Sequence, residues 1–388
     1  MERTGTSQLH FFGAYGLVVG FSFRCKEVLS RRSLLFTGAS ALAAPFVGRN
    51  RFSLFGGAPD YSRLTIDVIR ESTVIDMMGL LSLNYGKVLA WQRNPAALQD
   101  GDFQKLKDSG TTVFHQSFGF VEGDVYATSS RDIKGWNALI VAHPDKFLRI
   151  DCADDLGRAK TEGKIGIVIG QQNSQHFRTV SDVDCFYALG QRVSQLTYND
   201  NRLGGGSTDP KNIGLSEYGA CVLKRMNELG MAVDVSHCAD RTTLDAIESS
   251  RKPVLVTHSN CRALSASPRC KTDDAIRKMA AKGGVMGITL VRSFVRLGGS
   301  ASIEDVLNHV DHVAAVAGVE HVGLGTDVDL DGRDPGATAH RYDLDGVRYP
   351  KKIFDFTEGL VRRGYGRENI GLILGRNFQR ALSEIWAA

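Results

Sequence analysis

The 388-residue sequence lacks several features that mark common functional classes. It has seven cysteines but no C-x-x-C pair, which argues against a zinc knuckle or a thioredoxin-like redox motif. No G-x-G-x-x-G follows an apolar segment to open a helix, as a dinucleotide-binding sheet would require. Internal repeats and low-complexity tracts are also missing. What is present is an ordinary apolar content of 43%, which is enough to bury a large core.

Excess positive charge is scarce outside the N-terminus. The formal net charge is +4, but the first 43 residues contribute five basic and two acidic residues, which leaves 42 basic against 41 acidic residues in the rest. A near-neutral body argues against nucleic acid or anionic lipid as the main partner. We therefore expect no nucleic-acid partner.

Residues 1–43 are predicted to be a leader, and residues 44–65 a linker. Arg31 and Arg32 precede a short apolar run that contains the processing pattern Ala41–Ala43. Adjacent arginines before such a run are typical of a twin-arginine export signal, and the run is too short to span a bilayer as a helix. We expect an exported protein, periplasmic or secreted, whose mature chain is not inserted in the membrane. An N-terminal anchor and a chance Arg-Arg pair are the alternatives.

Residues 66–388 alternate eight times between a short apolar segment and polar or helical sequence. Several segments lack strict polar–apolar alternation, as do parallel strands covered on both faces. This pattern predicts a (β/α)8 barrel, with an open doubly wound sheet as the alternative. The predicted strands are Thr73–Met78, Thr111–Phe118, Lys164–Gly170, Val193–Tyr198, Met231–His237, Pro253–His258, Gly284–Leu290 and His321–Thr326, and the clearest helices are Glu217–Leu229 (capped by Gly230), Asp273–Ala281 and Ile303–Ala317.

Three polar residues stand at the ends of predicted strands where a barrel places its active groups. His237 ends the fifth strand, His258 the sixth and Asp327 follows the eighth. Two imidazoles and a carboxylate suit zinc, and three protein ligands leave a position for water. Asp327 is either the third ligand or a base. The sequence therefore predicts a shared metal site over the barrel axis.

Five segments of the sequence stand out around these residues. In chain order they are LTYNDNRLGGGS, GLSEYGACVLKRMNELGMAVDVSH, VLVTHSNCRALSASPRC, HVGLGTDVDLDG and LGRNF. Through them, and in the same order, the sequence resembles the membrane (renal) dipeptidase family from about Ile66 to the C-terminus. The resemblance implies a metal-dependent amidohydrolase-type barrel, zinc, and hydrolysis of dipeptides by a metal-activated water. Because family members are often dimers, a homodimer is also expected.

The resemblance assigns roles to individual positions. His237 and His258 match the two histidines that bind zinc in the family. Asp327 matches the aspartate that contacts the substrate amine and assists proton transfer. Arg269 matches the arginine that holds the substrate carboxylate, which a guanidinium can bind through two hydrogen bonds. Tyr198 stands where the family has a substrate-contacting histidine, and its hydroxyl can still donate a hydrogen bond to a carbonyl.

The sequence departs from the family at the first metal. Met78 and Leu80 replace the histidine and aspartate ligands of the first strand, and Gln172 falls at the glutamate that bridges two metals. A thioether, an alkyl group and a neutral amide are poor zinc ligands in such a site. We therefore expect one zinc rather than two. His115, Gln172 and His340 are the substitute ligands that the sequence offers.

Three functions remain open. The predicted one is a metallohydrolase that cleaves a dipeptide or related small amide with a reduced, single-metal site. The alternatives are a non-catalytic barrel that has lost its metal and binds a small ligand, and a hydrolase of a non-peptide amide or a lactone.

Overall fold

The computed structural model describes residues 61–118, 123–199, 201–332 and 342–387. The predicted leader, most of the predicted linker and His340 therefore lie outside the described residues. The described chain from Tyr61 onward forms one compact unit. Its first helix begins at Arg63, three residues before the predicted start of the barrel.

Parallel strands close into a barrel, as the sequence predicts. Eight of them follow one another in space in the order β2, β1, β9, β8, β7, β6, β5, β4, and a pairing of β2 with β4 closes the ring. That closing pair runs in register from Val113 and Gly166 to Phe118 and Gln171. The strands are β1 (Ile75–Asp76), β2 (Val113–Phe118), β3 (Phe147–Arg149), β4 (Ile165–Gln171), β5 (Gln191–Gln195), β6 (Ala232–Asp234), β7 (Val254–Ser259), β8 (Met286–Ile288) and β9 (Val322–Leu324).

The short strand β3 has no counterpart in the sequence prediction. It pairs with Ile165 to Ile167 at the start of β4, and β5 pairs with β4 from Ile169 onward. Thus β3 lies beside the lower part of β4 and leaves the eight-stranded ring intact. Three residues give too short an apolar pattern for strand prediction.

Helices cover the outside of the barrel. The three helices predicted from the sequence are confirmed with their bounds; α7, for example, begins after Ser216, whose hydroxyl accepts the Gly219 N–H at 2.9 Å, and ends at Gly230, where φ is +77°. No helix in the described part of the chain is long and apolar enough to cross a bilayer. The helices are α1 (Arg63–Glu71), α2 (Tyr85–Arg93), α3 (Asp100–Asp108), α4 (Val125–Ala142), α5 (Ala153–Thr161), α6 (Asp182–Ala188), α7 (Glu217–Leu229), α8 (Asp240–Ser249), α9 (Asp273–Ala281), α10 (Arg292–Val295), α11 (Ile303–Ala317), α12 (Lys352–Arg362), α13 (Arg367–Gly371) and α14 (Asn377–Trp386).

The last helix packs against the strands from below. A π-helical segment, Leu372–Arg376, joins α13 to α14. Within it, a side chain on Gly375 would collide with the carbonyl oxygen of Thr73, so only glycine allows this approach to β1. Apolar residues of α14 share one buried cluster with strand residues; its members include Ile75, Val113, Val168, Val193, Ala232, Leu255, Phe378, Leu382 and Ile385. The polar strand ends are thereby left at the opposite end of the barrel.

Candidate active site

Two histidine side chains meet at the C-terminal ends of neighbouring strands. His258 lies in β7, and His237 follows β6 by three residues. Their Nε2 atoms are 3.0 Å apart, and both residues are buried. The His237 ring also stacks on Tyr198, with ring centroids 4.1 Å apart and planes 23° apart. The structure therefore brings together three of the residues singled out in the sequence.

A buried carboxylate fixes the orientation of His258. Thr257 Oγ1 donates to Asp234 Oδ2 at 2.7 Å and lies 2.8 Å from His258 Nδ1. Because the hydroxyl proton is given to Asp234, the hydroxyl oxygen accepts from Nδ1–H, and His258 keeps its lone pair on Nε2. Ser236 Oγ donates to Asp234 Oδ1 at 2.5 Å and accepts the His258 N–H at 3.0 Å. Imidazole with an unprotonated Nε2 is the form that binds a metal.

Asp234 and Thr257 were not identified from the sequence. Thr257 directly precedes His258, and Asp234 ends β6, three residues before His237. Their positions were a usable signal, because a histidine that binds a metal usually donates its other N–H to a nearby oxygen. The direction of the donors along this chain of contacts, however, follows only from the folded structure.

The residues on the β6–β7 side fit one metal ion. Zinc binds imidazole nitrogen at about 2.0–2.1 Å, so two nitrogens 3.0 Å apart can share one ion. The described residues contain no group of three or more His, Cys, Asp or Glu side chains arranged to hold a metal. Protein ligands beyond the histidine pair therefore do not converge in this arrangement.

The positions of the first metal do not fit zinc. Gln172 Nε2 lies 3.6 Å from Met78 Sδ and donates to the Ser117 carbonyl at 3.1 Å. Met78 and Leu80 are both buried. An amide–thioether contact beside an alkyl side chain offers no anionic ligand.

His115 does not supply the missing ligand in the described structure. Its Nδ1 lies 2.6 Å from the Met77 carbonyl oxygen, so Nδ1 carries the proton. Its Nε2 has no hydrogen-bond partner and faces Gly170, where a side chain would collide with it. Burial lowers the pKa of His115, which keeps the ring neutral.

Asp327 follows β9 in a left-handed backbone conformation, with φ at +56°. Its N–H donates to the Met78 carbonyl at 2.9 Å. The preceding Thr326 is anchored by Asp76, which accepts its N–H at 2.8 Å and its hydroxyl at 2.6 Å. A non-glycine residue in this region carries strain that the surrounding contacts must hold, which is common at functional sites.

A cavity of about 150 Å³ opens at this end of the barrel. Asp327, His237 and Tyr198 line it, and so do Leu80 and Gln172 from the positions of the first metal. The cavity therefore joins the two halves of the candidate site. The other lining residues are Ser82, Leu83, Tyr85, Ser117, Phe118 and Phe294.

Arg269 lies behind the histidines rather than on the cavity wall. Its guanidinium donates to the carbonyl of Ser236 and, at 3.1 Å, to that of His258. It also lies over the Phe294 ring, 4.9 Å from the centroid. Its Nε has no hydrogen-bond partner among the described residues. In this conformation Arg269 ties together the chain beside both histidines, and its binding of a substrate carboxylate stays a prediction.

Comparison with known proteins agrees with this architecture. A sequence profile described as membrane dipeptidase (peptidase family M19) matches residues 67–388. An uncharacterized dipeptidase of Schizosaccharomyces pombe is 35% identical over 62% of this chain and 58% of its own length. Dipeptidase verJ of Clonostachys rogersoniana is 32% identical over 64% of this chain and 63% of its own length. The chain thus spans less than two thirds of these curated relatives.

Solved structures share the fold. An amidohydrolase from Pseudomonas aeruginosa superimposes with a TM-score of 0.73 at 25% identity, over 84% of this chain and 99% of its own. The probable dipeptidase PvdM from the same organism gives a TM-score of 0.70 at 19% identity, over 83% of this chain and 97% of its own.

Proposed function

Because the chain belongs to the membrane dipeptidase family, we propose that it hydrolyses a dipeptide or a related small amide, with one metal ion held by His237 and His258. The observation that carries the proposal is the Nε2 pair 3.0 Å apart, with the His258 lone pair set by the Thr257–Asp234 contacts. A purely structural histidine pair does not need a dedicated carboxylate to free one lone pair.

The side chains around the cavity suit amide hydrolysis. A zinc ion bound there supplies a Lewis acid and lowers the pKa of a coordinated water toward neutrality. Asp327 lines the cavity, and we assign to its carboxylate the binding of a substrate amine and the acceptance of a proton. Tyr198, stacked on His237, offers a phenolic hydroxyl that donates to a carbonyl oxygen. Asp234 and Thr257 keep the His258 ring oriented while charge develops.

We propose one metal rather than two because the other half of the site holds no anionic ligand. Met78, Leu80 and Gln172 pack where two ligands and a bridging carboxylate would be needed. An apolar filling of that volume avoids a costly void.

Metal content tests the proposal. Protein purified without added zinc is assayed for metal per chain, alongside His237→Ala and His258→Ala. His312→Ala is the matched control, because His312 pairs with Asp273 on the outside of the barrel. We expect about one metal per chain in the wild type and the control, and none in the two site variants. Two metals would contradict the single-metal proposal. If no metal is bound and adding zinc gives no activity, the alternative of a non-catalytic barrel that binds a small ligand is favoured.

Substrate end groups separate peptide hydrolysis from related chemistry. Free dipeptides are compared with their N-acetylated and C-amidated forms and with a simple lactone. We expect hydrolysis only when the amine and the carboxylate are both free, because Asp327 and Arg269 are assigned to these two groups. Equal rates for blocked peptides, or turnover of the lactone alone, would favour a non-peptide amide or lactone substrate.

We also propose that the protein is exported through the twin-arginine signal at Arg31 and Arg32. Cell fractionation of the wild type and of a variant with both arginines changed to lysine tests this. Retention of the variant in the cytoplasm is the expected result, and equal export of both would contradict it.

A further inference from the structure

A second cavity lies beside the candidate active site, between α2 and α4. Its volume is about 230 Å³, and it shares Tyr85 and Phe118 with the cavity of the site. We call it the side pocket. Its remaining lining residues are Val88, Leu89, Gln92, Arg93, Thr128, Ser129, Arg131, Asp132, Gly135 and Gln171.

The carboxyl group of Asp132 faces the side pocket without a cationic partner. Oδ1 accepts from Gln92 Nε2 at 2.8 Å, and Oδ2 accepts weakly from Gln171 Nε2 at 3.4 Å. It forms no ion pair with any described residue. Burial raises the pKa of this carboxyl to about 6, against the weaker lowering effects of both glutamines and of Arg131. A half-buried carboxylate held only by neutral amides favours a cation beside it.

Ser129 supplies a second oxygen in the same pocket. It is 2% exposed, and its hydroxyl has no hydrogen-bond partner among the described residues. Ser129 precedes Asp132 by three residues on α4, so the two side chains lie on the same face of the helix. Buried hydroxyl groups are normally hydrogen-bonded, and an exception requires an explanation. A bound ammonium group, with three donors, would satisfy both side chains.

The rest of the pocket suits an apolar chain that carries such a group. Val88 and Leu89 form its aliphatic wall, and Phe118 lies 5.9 Å from the Tyr85 ring and stacks on Trp136. Aromatic faces attract alkylammonium ions as well as hydrocarbon. The pocket thus offers apolar walls and two oxygen acceptors.

The two arginines at the pocket do not neutralise Asp132. Arg93 and Arg131 are both exposed, and Arg131 is turned toward the Thr128 hydroxyl at 3.3 Å. Water therefore screens their charges more strongly than it screens the half-buried Asp132 carboxyl.

We propose that the side pocket is a specificity subsite that accepts an apolar side chain ending in a protonated amine, such as that of lysine, from the substrate of the neighbouring site. Its role in substrate choice rests on the proposed hydrolysis; its capacity to bind an amine does not. Asp132 and Ser129 accept the ammonium hydrogens, and Phe118 and Leu89 contact the methylene groups.

Direct binding tests the pocket independently of catalysis. n-Pentylamine and 1-pentanol are titrated against the full protein by calorimetry, in the wild type, Asp132→Asn and Asp145→Asn. Asp145 is an exposed carboxylate just after α4 and serves as the charge-matched control. We expect the amine to bind the wild type and Asp145→Asn about tenfold more tightly than Asp132→Asn, with a smaller difference for the alcohol. No amine binding, or equal binding to Asp132→Asn, would overturn the proposal.

Substrate selectivity tests the role of the pocket in hydrolysis. Lysine is compared with norleucine, which has the same carbon chain without the amine, at each position of a glycine dipeptide. At one of the two positions we expect the wild type to favour lysine about tenfold in kcat/KM, and Asp132→Asn to lose this ratio. Hydrolysis without a preference for lysine at either position would contradict the specificity subsite but not the proposed function. If no dipeptide is cleaved but the amine binds, the proposed function fails and the pocket stands as an amine site.

Discussion

The two sides of the barrel mouth differ in how their polar groups are held. On the β6–β7 side, Asp234 receives hydrogen bonds from four donors in Ser236 and Thr257, and the contacts continue to His258. On the β1–β4 side, Gln172 contacts the Met78 thioether, and the nearby His115 leaves one nitrogen without a partner. The proposed metal ligand His258 is therefore supported by a connected set of hydrogen bonds, whereas the side that carries Met78 and Gln172 is held mainly by packing.

The largest effect is expected from a substitution at Asp234. We expect Asp234→Asn to weaken metal binding about 10–100-fold, because an amide cannot accept all four donors and His258 loses its fixed orientation. Metal affinity is measured by competition with a chelator. Asp182→Asn is the control, since Asp182 is also buried and accepts the N–H groups of Arg178 and Thr179 away from the site. Unchanged affinity in Asp234→Asn would mean that the connected contacts do not support the ligand.

Introducing metal ligands on the β1–β4 side tests whether that side of the barrel mouth can bind a second metal. We expect Met78→His with Leu80→Asp to leave metal content at the wild-type value, because Gln172 still provides no negative charge to bridge two ions. Adding Gln172→Glu to that pair completes the set and is expected to raise the content by one metal per chain. A second metal in the double variant, without Gln172→Glu, would show that a bridging carboxylate is not required.

Two substitutions of Asp327, which lies in a strained turn, separate the effect of the backbone conformation from that of the carboxylate. With φ at +56°, glycine fits the position without a steric cost and alanine does not. We expect Asp327→Gly to be more stable to urea than Asp327→Ala by about 1 kcal/mol, while both lose activity. Equal stability of the two variants would indicate that the turn relaxes when the carboxylate is removed.

The side pocket gives rise to an expected pH dependence of stability. Because the pKa of Asp132 is raised to about 6 in the folded state, the folded protein binds this proton more tightly than the unfolded chain. Stability should therefore fall as pH rises from about 4 to 6, by about 1–2 kcal/mol, and this part of the profile should be missing in Asp132→Asn. Urea unfolding at a series of pH values measures this pH dependence. Identical profiles for the wild type and Asp132→Asn would mean that the carboxyl is exposed to water in the folded protein.

The sequence predicted the fold better than it predicted the details of the site. Buried parallel strands are rich in apolar residues, so the eight strands of the ring could be found, while the three residues of β3 carried too little pattern. Strand ends converge in a barrel, and the meeting of His237 and His258 follows from that rule.

Other features depend on contacts between distant parts of the chain. The positive φ of Asp327 is set by hydrogen bonds to Met78 and, through Thr326, to Asp76, none of which is local in sequence. The side pocket arises where α2 and α4 pack together. In the sequence, nothing distinguishes Asp132 from an ordinary helix residue. These contacts could not be derived from periodicity or spacing.

The close approach of Gly375 to Thr73 also bears on how the barrel folds. The contact joins the residues before β1 to the segment Leu372–Arg376, at the opposite end of the barrel sequence. Because such a contact closes a very long loop, its formation is slow compared with that of local contacts. We therefore expect the base of the barrel to be completed late in folding.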